Sequence, residues 1–384
     1  MKKVDLIYFN AGGGHRSTAN ALYQVIEKQH SLHPRLVNIY ETGLLKVMDV
    51  FFRHGIDFYN FMLKRGWTIL DPLYLFLSQF NVRRNHSAGV RFLESYWREH
   101  QPDLVVSTVP LLNRMLWESL QKAKPGTPFV TLFIDFADCP PHYHYWIEPQ
   151  EQFLLCPTER AVEQARSQGI PKERIFPISG VVINPRFYEP ITVDRRIERQ
   201  RLGLDPDLPT GLVMFGGYGS TVMLEIAKCL ERSPLNLQLI FICGRNEKLA
   251  TTLRRSQSRL PRFVETFTSE IPYYMHLSDF FIGKPGPGSI SEALTMKLPV
   301  ITECNASTLV QERYNAEWLV KNEVGIVLRN LRNIDKAVAE LIQPENLARY
   351  RANAASINNK AVFEVVDILD RIFEPLQLRT QVRK

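Results

Sequence analysis

Three glycine-bearing stretches stand where this sequence could do chemistry on an anion. One is Lys284-Pro285-Gly286-Pro287-Gly288-Ser289-Ile290-Ser291-Glu292, set between the apolar run Phe280-Phe281-Ile282-Gly283 and Ala293-Leu294-Thr295-Met296. The order reads as strand, glycine loop, helix. Pro287 has no N–H, so the spacing leaves the amides of Gly288, Ser289 and Ile290 free at the first helical turn. Free amides at the positive end of a helix dipole suit a phosphate. Gly286 and Gly288 carry no Cβ and would let a diphosphate close to the backbone. The plainer alternative is a Pro/Gly turn in which Ser289 only caps a helix.

Near the N-terminus, Val4-Asp5-Leu6-Ile7-Tyr8-Phe9 is followed by Asn10-Ala11-Gly12-Gly13-Gly14-His15-Arg16-Ser17 and then by residues with helical spacing from Ala19 to Ile26. This stretch again reads strand, glycines, helix. Gly12, Gly14 and Ser17 lack the third glycine of a dinucleotide fingerprint, although Glu41 follows the next strand, so a nicotinamide site competes weakly. A histidine after glycines is commonly a loop residue. His15 differs in standing at the carboxyl end of a strand, where open α/β sheets bind ligands. A third loop, Phe215-Gly216-Gly217-Tyr218-Gly219-Ser220, follows the strand Gly211-Leu212-Val213-Met214. Three such junctions predict two nucleotide-binding-like halves.

The elements that must position these loops alternate. In the first half, apolar runs at 35–40, 102–108, 129–135, 153–156 and 174–178 are separated by helical patterns. The second half repeats the rhythm at 211–215, 237–243, 262–267, 280–282, 298–301 and 325–328. That is the pattern of α/β domains with doubly wound parallel sheets. The strand at 129–135 ends on Asp135, with Asp138 and then Pro140-Pro141-His142-Tyr143-His144 beyond it. Prolines after Asn184, Glu189, Asp205 and Leu208 mark a linker. The organisation read from the sequence is a domain at 1–185, a linker at 186–209, a second domain at 210–355 and a helical tail at 356–384. The run 194–201 reads as a solvated charged helix. Within the first domain, 44–84 is crowded with aromatics (Phe51, Phe52, Phe58, Trp67, Phe76, Phe80) and interrupted by Lys46, Arg53, Lys64, Arg65, Arg83 and Arg84. Amphipathic helices of that composition suit a membrane interface or, equally, a domain core.

The 384 residues allow two cores of ordinary size, and 45% hydrophobic with 23% charged residues is the balance of a globular protein. A net charge of +7 favours anionic partners without choosing among them. Nucleic acid is disfavoured, because no basic run or recognised module accompanies that charge. Five cysteines with wide spacing argue against a disulfide framework and a zinc site, and for a reducing compartment. No signal peptide is visible, and no apolar run is long enough to span a bilayer. Asp205-Pro206-Asp207 reads as a turn rather than a metal site, and His142 and His144 lack further ligands.

Together the motifs resemble a family. Gly12-Gly13-Gly14-His15-Arg16, Cys156-Pro157-Thr158-Glu159, Asn184-Pro185-Arg186-Phe187, Cys243-Gly244-Arg245-Asn246, Gly286–Leu294 and Gln311-Glu312 are similar to the monogalactosyldiacylglycerol synthases. Those are GT-B glycosyltransferases related to the bacterial peptidoglycan N-acetylglucosaminyltransferases and to diacylglycerol glucosyltransferases. The resemblance implies two Rossmann-like domains facing across a cleft. It also implies inverting transfer of a hexose, galactose or glucose, from a UDP-sugar to a lipid acceptor such as diacylglycerol. The setting would be an anionic membrane surface on the cytoplasmic side, with no cofactor and no metal. By the same resemblance Gly216, Gly217, Gly219, Arg245, Phe267, Gly288, Ser289 and Ile290 bind the donor. Glu292 accepts from ribose hydroxyls, and Gln311 and Glu312 accept from the sugar. Gly13, Gly14, His142 and His144 lie on the acceptor side. An acceptor alcohol must lose a proton as it attacks, so a base is required. His15 is the first candidate and Asp135 the second, as base or as orienter of a histidine; His15 could instead bind the donor diphosphate. The chain departs from the family at Asn20, Pro285 and Pro140-Pro141. A UDP-sugar epimerase of the same fold and a non-catalytic binding protein are the competing classes.

Overall fold

The computed structural model describes residues 2–10, 13–29, 32–44, 71–139 and 145–381, with backbone alone from 374 to 381. It divides into two units, one ending at Pro185 and rejoined from Asn359 onward, the other running from Arg186 to Asn358. Residues 45–70 and 140–144 lie outside the described residues. Most of the aromatic segment expected at 44–84 therefore goes undescribed, as do His142, His144 and Gly12.

The first unit alternates strand and helix: β1 (Lys2–Tyr8), α1 (Gly14–Gln29), β2 (Leu32–Asn38), α2 (Asp71–His100), β3 (Leu104–Ser107), α3 (Asn113–Ala123), β4 (Phe129–Leu132), β5 (Phe153–Cys156), α4 (Glu159–Ser167) and β6 (Ile175–Pro177). Its strands form one parallel sheet in the order β2-β1-β3-β4-β5-β6. β3 and β4 are buried at every position, as befits short apolar runs covered on both faces. Register is pinned where a charge is buried: Asp5 faces Arg35 across β1 and β2, and the two form a bidentate pair at 2.9 and 2.6 Å. The long α2 is fastened to α3 by the buried Trp97 indole, which donates to Ser119 Oγ at 2.9 Å.

The second unit contains α5 (Arg195–Arg201), β7 (Thr210–Met214), α6 (Val222–Arg232), β8 (Gln238–Ile242), α7 (Glu247–Arg255), β9 (Arg262–Glu265), α8 (Ile271–His276), β10 (Phe280–Gly283), α9 (Pro287–Thr295), β11 (Val300–Glu303), α10 (Arg313–Lys321), β12 (Gly325–Leu328), α11 (Ile334–Leu341) and α12 (Pro344–Ser356). Its parallel sheet runs β12-β11-β10-β7-β8-β9. Phe241, Phe280 and Phe281 are fully buried, and each contributes roughly 2–3 kcal/mol of transfer free energy. One expectation fails here. The charged run at 194–201 is not a solvated helix throughout, because Arg199 is buried and donates to Asp279 Oδ2 at 2.8 Å and to the Leu277 carbonyl at 2.9 Å. Charge count alone hid this, since the partner acid stands 80 residues away.

After α12 the chain returns to the first unit through α13 (Ala361–Gln381). Asn359 makes the junction: its amide donates to the Val181 carbonyl at 2.9 Å, and its carbonyl oxygen accepts from the Ala361 N–H at 3.0 Å.

Candidate functional site

Each sheet reverses its winding once, and that is where open α/β sheets leave a crevice. In the first unit the reversal lies between β1 and β3. The turn after β1 reaches Gly13, whose φ of +91° is a left-handed conformation that glycine adopts without strain. Helix α1 starts at Gly14, and its first internal bond from this turn is the Ser17 N–H to the Gly13 carbonyl at 3.1 Å. The amides of Gly14, His15 and Arg16 precede that bond. From β3, Thr108 is held against β1 by two bonds to the Ile7 carbonyl, from its N–H and its hydroxyl, each 3.0 Å.

This arrangement fixes His15. Its Nδ1 lies 2.5 Å from the Thr108 carbonyl oxygen. A carbonyl only accepts, so Nδ1 carries the hydrogen and Nε2 keeps its lone pair. Burial disfavours the imidazolium and pulls the pKa from 6.5 to about 4, against the opposing effect of the Thr108 bond. His15 is thus a neutral imidazole at pH 7 with a basic nitrogen available. Phe9 lies 4.1 Å from its ring centroid and Trp146 6.4 Å. Asp135 is buried and accepts from Trp146 Nε1 at 3.0 Å, so it meets the histidine's surroundings through that indole. Asp138 holds the same loop by accepting from the Cys139, Trp146 and Ile147 amides at 2.8, 2.9 and 3.2 Å. Thr108 and Trp146 were not picked out from the sequence. Thr108 acts through its backbone, which no residue type reveals, and Trp146 follows a Tyr/His-rich loop that drew attention instead.

In the second unit the reversal lies between β7 and β10, paired with Gly283 opposite Met214. Both strands end in a glycine loop, and a Cβ on Gly216 would meet Lys284 Cε at 4.0 Å, so the loops abut. The Gly216–Gly219 turn sits on the end of β8. Arg245 N–H donates to the Gly217 carbonyl at 2.9 Å. Gly219, at φ +61°, has no room for a Cβ against the Cys243 carbonyl, whereas Gly217 faces open space. Beyond β9, Phe267 is 59% exposed, with the Arg245 guanidinium 5.0 Å from its ring centroid.

The start of α9 differs from expectation in one respect. Ile290 N–H donates to the Gly286 carbonyl at 3.1 Å, so its amide is not free. An α-helix closes its first ring at the fourth residue after the cap, and counting from Gly286 that residue is Ile290. The free pair among the described residues is Gly288 and Ser289. Ser289 does not cap the helix: the cap is Gly286, and the Ser289 hydroxyl donates to its carbonyl at 3.2 Å. Gly288 opens on empty space. One turn on, Glu292 is largely buried, and no hydrogen bond or ion pair reaches its carboxylate among the described residues. Desolvation alone lifts its pKa from 4.5 to about 8.

Gln311 and Glu312 lie in a short turn and are buried, at 8% and 7% exposed. Lys284 Nζ donates to Glu312 Oε1 at 2.8 Å. Asn315, fully buried, donates to the Pro285 carbonyl at 2.8 Å and holds the glycine loop. Asn315 was not singled out from sequence, although it stands three residues beyond Gln311-Glu312. Asp205 and Asp207 serve the linker turn: Asp205 accepts from two backbone amides, and Asp207 pairs with Arg196.

The described arrangement, a phosphate-ready helix start beside an unpartnered carboxylate on one sheet and a neutral histidine base on another, invites comparison with known proteins. Over 97% of this chain and 100% of the other, the structure matches the MurG of Acinetobacter baumannii with a TM-score of 0.62 at 12% identity. A UDP co-structure of S. aureus MnaA matches with a TM-score of 0.59 at 18% identity over 98% of each chain. These likenesses establish the GT-B fold, two Rossmann-like α/β domains in one chain. Residues 15–183 match the monogalactosyldiacylglycerol synthase family, and residues 213–372 match the C-terminal domain of glycosyltransferase family 28. Monogalactosyldiacylglycerol synthase 2 of Arabidopsis thaliana is 27% identical over 97% of this chain and 81% of its own length. A probable synthase 2 of Oryza sativa subsp. japonica is 28% identical with the same coverage. The protein is a glycosyltransferase of GT-B fold, its first half similar to the monogalactosyldiacylglycerol synthases and its second half similar to the C-terminal domain of glycosyltransferase family 28.

Proposed function

We propose that this enzyme transfers a hexose, galactose or glucose, from a UDP-sugar to the hydroxyl of a lipid such as diacylglycerol, with inversion at C1. The observation that carries the reading is the pairing in one helix of two free amides, Gly288 and Ser289, with the unpartnered Glu292 a turn later. A nucleoside diphosphate supplies what each lacks: phosphate oxygens for the amides and ribose hydroxyls for the carboxylate. Arg245 and Phe267 offer a cation and an exposed ring face to the base, and Gln311 and Glu312 take sugar hydroxyls.

In the transfer step the acceptor oxygen forms a bond to C1. The bond from C1 to the β-phosphate oxygen breaks, and its electron pair leaves with UDP. The acceptor proton passes to His15 Nε2, which is unprotonated at neutral pH. The amides at the start of α9 oppose the charge that grows on the departing diphosphate, so the reading requires no metal ion. A lipid acceptor is supported by the names of the relatives and by the start of α2, where Leu73, Phe76, Leu77 and Phe80 form an exposed stripe ahead of the exposed Arg83 and Arg84. Apolar residues at that spacing with arginines behind them suit the interface of an anionic membrane, here assigned to its cytoplasmic face. Among the described residues no helix is long and apolar enough to cross a bilayer.

The test incubates the full chain, in EDTA, with UDP-galactose or UDP-glucose labelled in the sugar and with vesicles containing diacylglycerol. Label in the organic phase supports the reading. Label that stays aqueous as an epimerised UDP-sugar, or no turnover with either donor, refutes it.

A further inference from the structure

The second unit holds a separate cavity of about 290 Å³, lined by Arg195, Met275, His276, Ser278, Thr295, Met296, Lys297 and Arg351. It adjoins the carboxyl end of α9. The glycine loop lies at the other end of the same nine-residue helix, about 13 Å away at 1.5 Å per residue. No carboxylate lines the cavity. Asp279, the acid that Arg195 and Arg351 reach, is already engaged from behind: Oδ2 accepts from Arg199 at 2.8 Å and from the Thr210 N–H at 2.9 Å. Arg195 and Arg351 then share the other oxygen, at 3.0 and 3.2 Å. One carboxylate therefore meets three guanidiniums and cannot neutralise them all, and Lys297 has no ion pair among the described residues.

Two further atoms point the same way. Arg195 Nε and Thr295 Oγ1 are both buried with no hydrogen-bond partner. Both residues line the cavity, and a buried guanidinium N–H and hydroxyl without an acceptor are costly. His276 donates through Nε2 to the Val193 carbonyl at 3.1 Å and so frames one wall. Cations that outnumber acids, two orphaned donors and enough volume for a tetrahedral ion describe an acceptor-rich, doubly charged ligand.

We infer that this cavity is a second anion site, which takes a phosphoryl group through Arg195, Arg351, Lys297 and Thr295. Its thioether walls, Met275 and Met296, leave space for an apolar substituent on that phosphate. The site does not rest on the donor assignment, since none of its residues belongs to the glycine loops.

The test titrates inorganic phosphate into the full chain by calorimetry, with UDP saturating so that the start of α9 is occupied. The wild type is expected to bind phosphate saturably. Lys297→Gln and Arg351→Gln should each weaken it roughly ten-fold or more, the scale of one lost charged hydrogen bond. Thr295→Val should also weaken binding while leaving the thermal midpoint equal or higher, because it removes a buried orphan; a purely structural hydroxyl would not give that split. Lys297 is exposed, so its variant folds even if Arg351→Gln does not. Sedimentation with phosphatidylcholine vesicles, with and without phosphatidylserine, identifies the source. Vesicle binding lost in Lys297→Gln makes the ligand a lipid headgroup, and vesicle binding unchanged makes it a soluble phosphate ester. Absence of saturable phosphate binding in the wild type, or wild-type affinity in Lys297→Gln and Thr295→Val, overturns the inference.

Discussion

Glu292 gives the sharpest handle on the proposed donor site. Its carboxyl is held near pKa 8 by burial with no compensating partner, so at pH 7 about nine molecules in ten carry the proton. Ribose hydroxyls donating to this group favour the carboxylate, and the proton must leave when they arrive. UDP binding at pH 7 should release close to one proton per protein. The affinity should rise about ten-fold between pH 7 and 9, a gain of about 1.4 kcal/mol, and then level off. The phosphates of UDP titrate near pH 6, below this window. Calorimetry in two buffers of different ionisation enthalpy counts the proton directly. Glu292→Gln should flatten the pH profile and abolish the release. A proton count near zero in the wild type, or an unchanged slope in the variant, refutes the assignment of Glu292 to the ribose.

The same shift has a consequence for the ligand-free enzyme. The unfolded chain loses this proton near pH 4.5 and the folded chain only near 8. Between those values the unfolded state binds fewer protons, so stability falls as pH rises, by at most about 5 kcal/mol. Glu292→Gln should therefore melt higher than the wild type at pH 9 without UDP, and the gap should close at pH 5.

Three other outcomes follow from the geometry. His15→Ala should lower kcat by about 10²–10⁴; because burial depresses the His15 pKa to about 4, the acid limb of the wild-type rate profile should fall near pH 4, and a limb near 6.5 would remove His15 as the base. Gly219→Ala forces a Cβ onto the Cys243 carbonyl in a left-handed conformation and should cost about 1–3 kcal/mol and weaken UDP binding, whereas Gly217→Ala, which faces open space, should melt like the wild type; equal midpoints for the pair would contradict the loop geometry. Replacing Phe76 and Phe80 together by serine should reduce sedimentation with anionic vesicles by about 30–1,000-fold, at about 1–2 kcal/mol per ring, and leave the melting midpoint unchanged because both side chains are already exposed.

How much of this was legible in the sequence depended on whether a residue acts locally. Strands such as Phe280–Gly283 and Phe129–Leu132 are short apolar runs whose burial on both faces follows from a parallel sheet, and their order with the intervening helices fixed the α/β class before any coordinates. The glycine loops were legible for the same reason, since each stands at one strand-to-helix junction. What escaped was set by partners distant in the chain. Arg199 looked solvated because Asp279 is 80 positions away. Ile290 looked free because the helix cap could not be placed at Gly286 without its carbonyl direction. Thr108 contributes a backbone oxygen, which every residue possesses.

From sequence, a histidine after glycines can be a base, a cation facing phosphate, or a loop residue. The 2.5 Å contact to a carbonyl favours the hydrogen on Nδ1, and burial, which pulls the pKa down to about 4, favours the uncharged ring at pH 7. An uncharged imidazole gains little by facing a diphosphate, and it can still take a proton through Nε2. Electrostatics therefore divides the labour: in this reading the start of α9 meets the anion and the histidine meets the alcohol. If UDP alone were found to raise the His15 pKa toward neutrality, as a phosphate in contact with the ring would, that division would be wrong, and the histidine would belong to the donor instead.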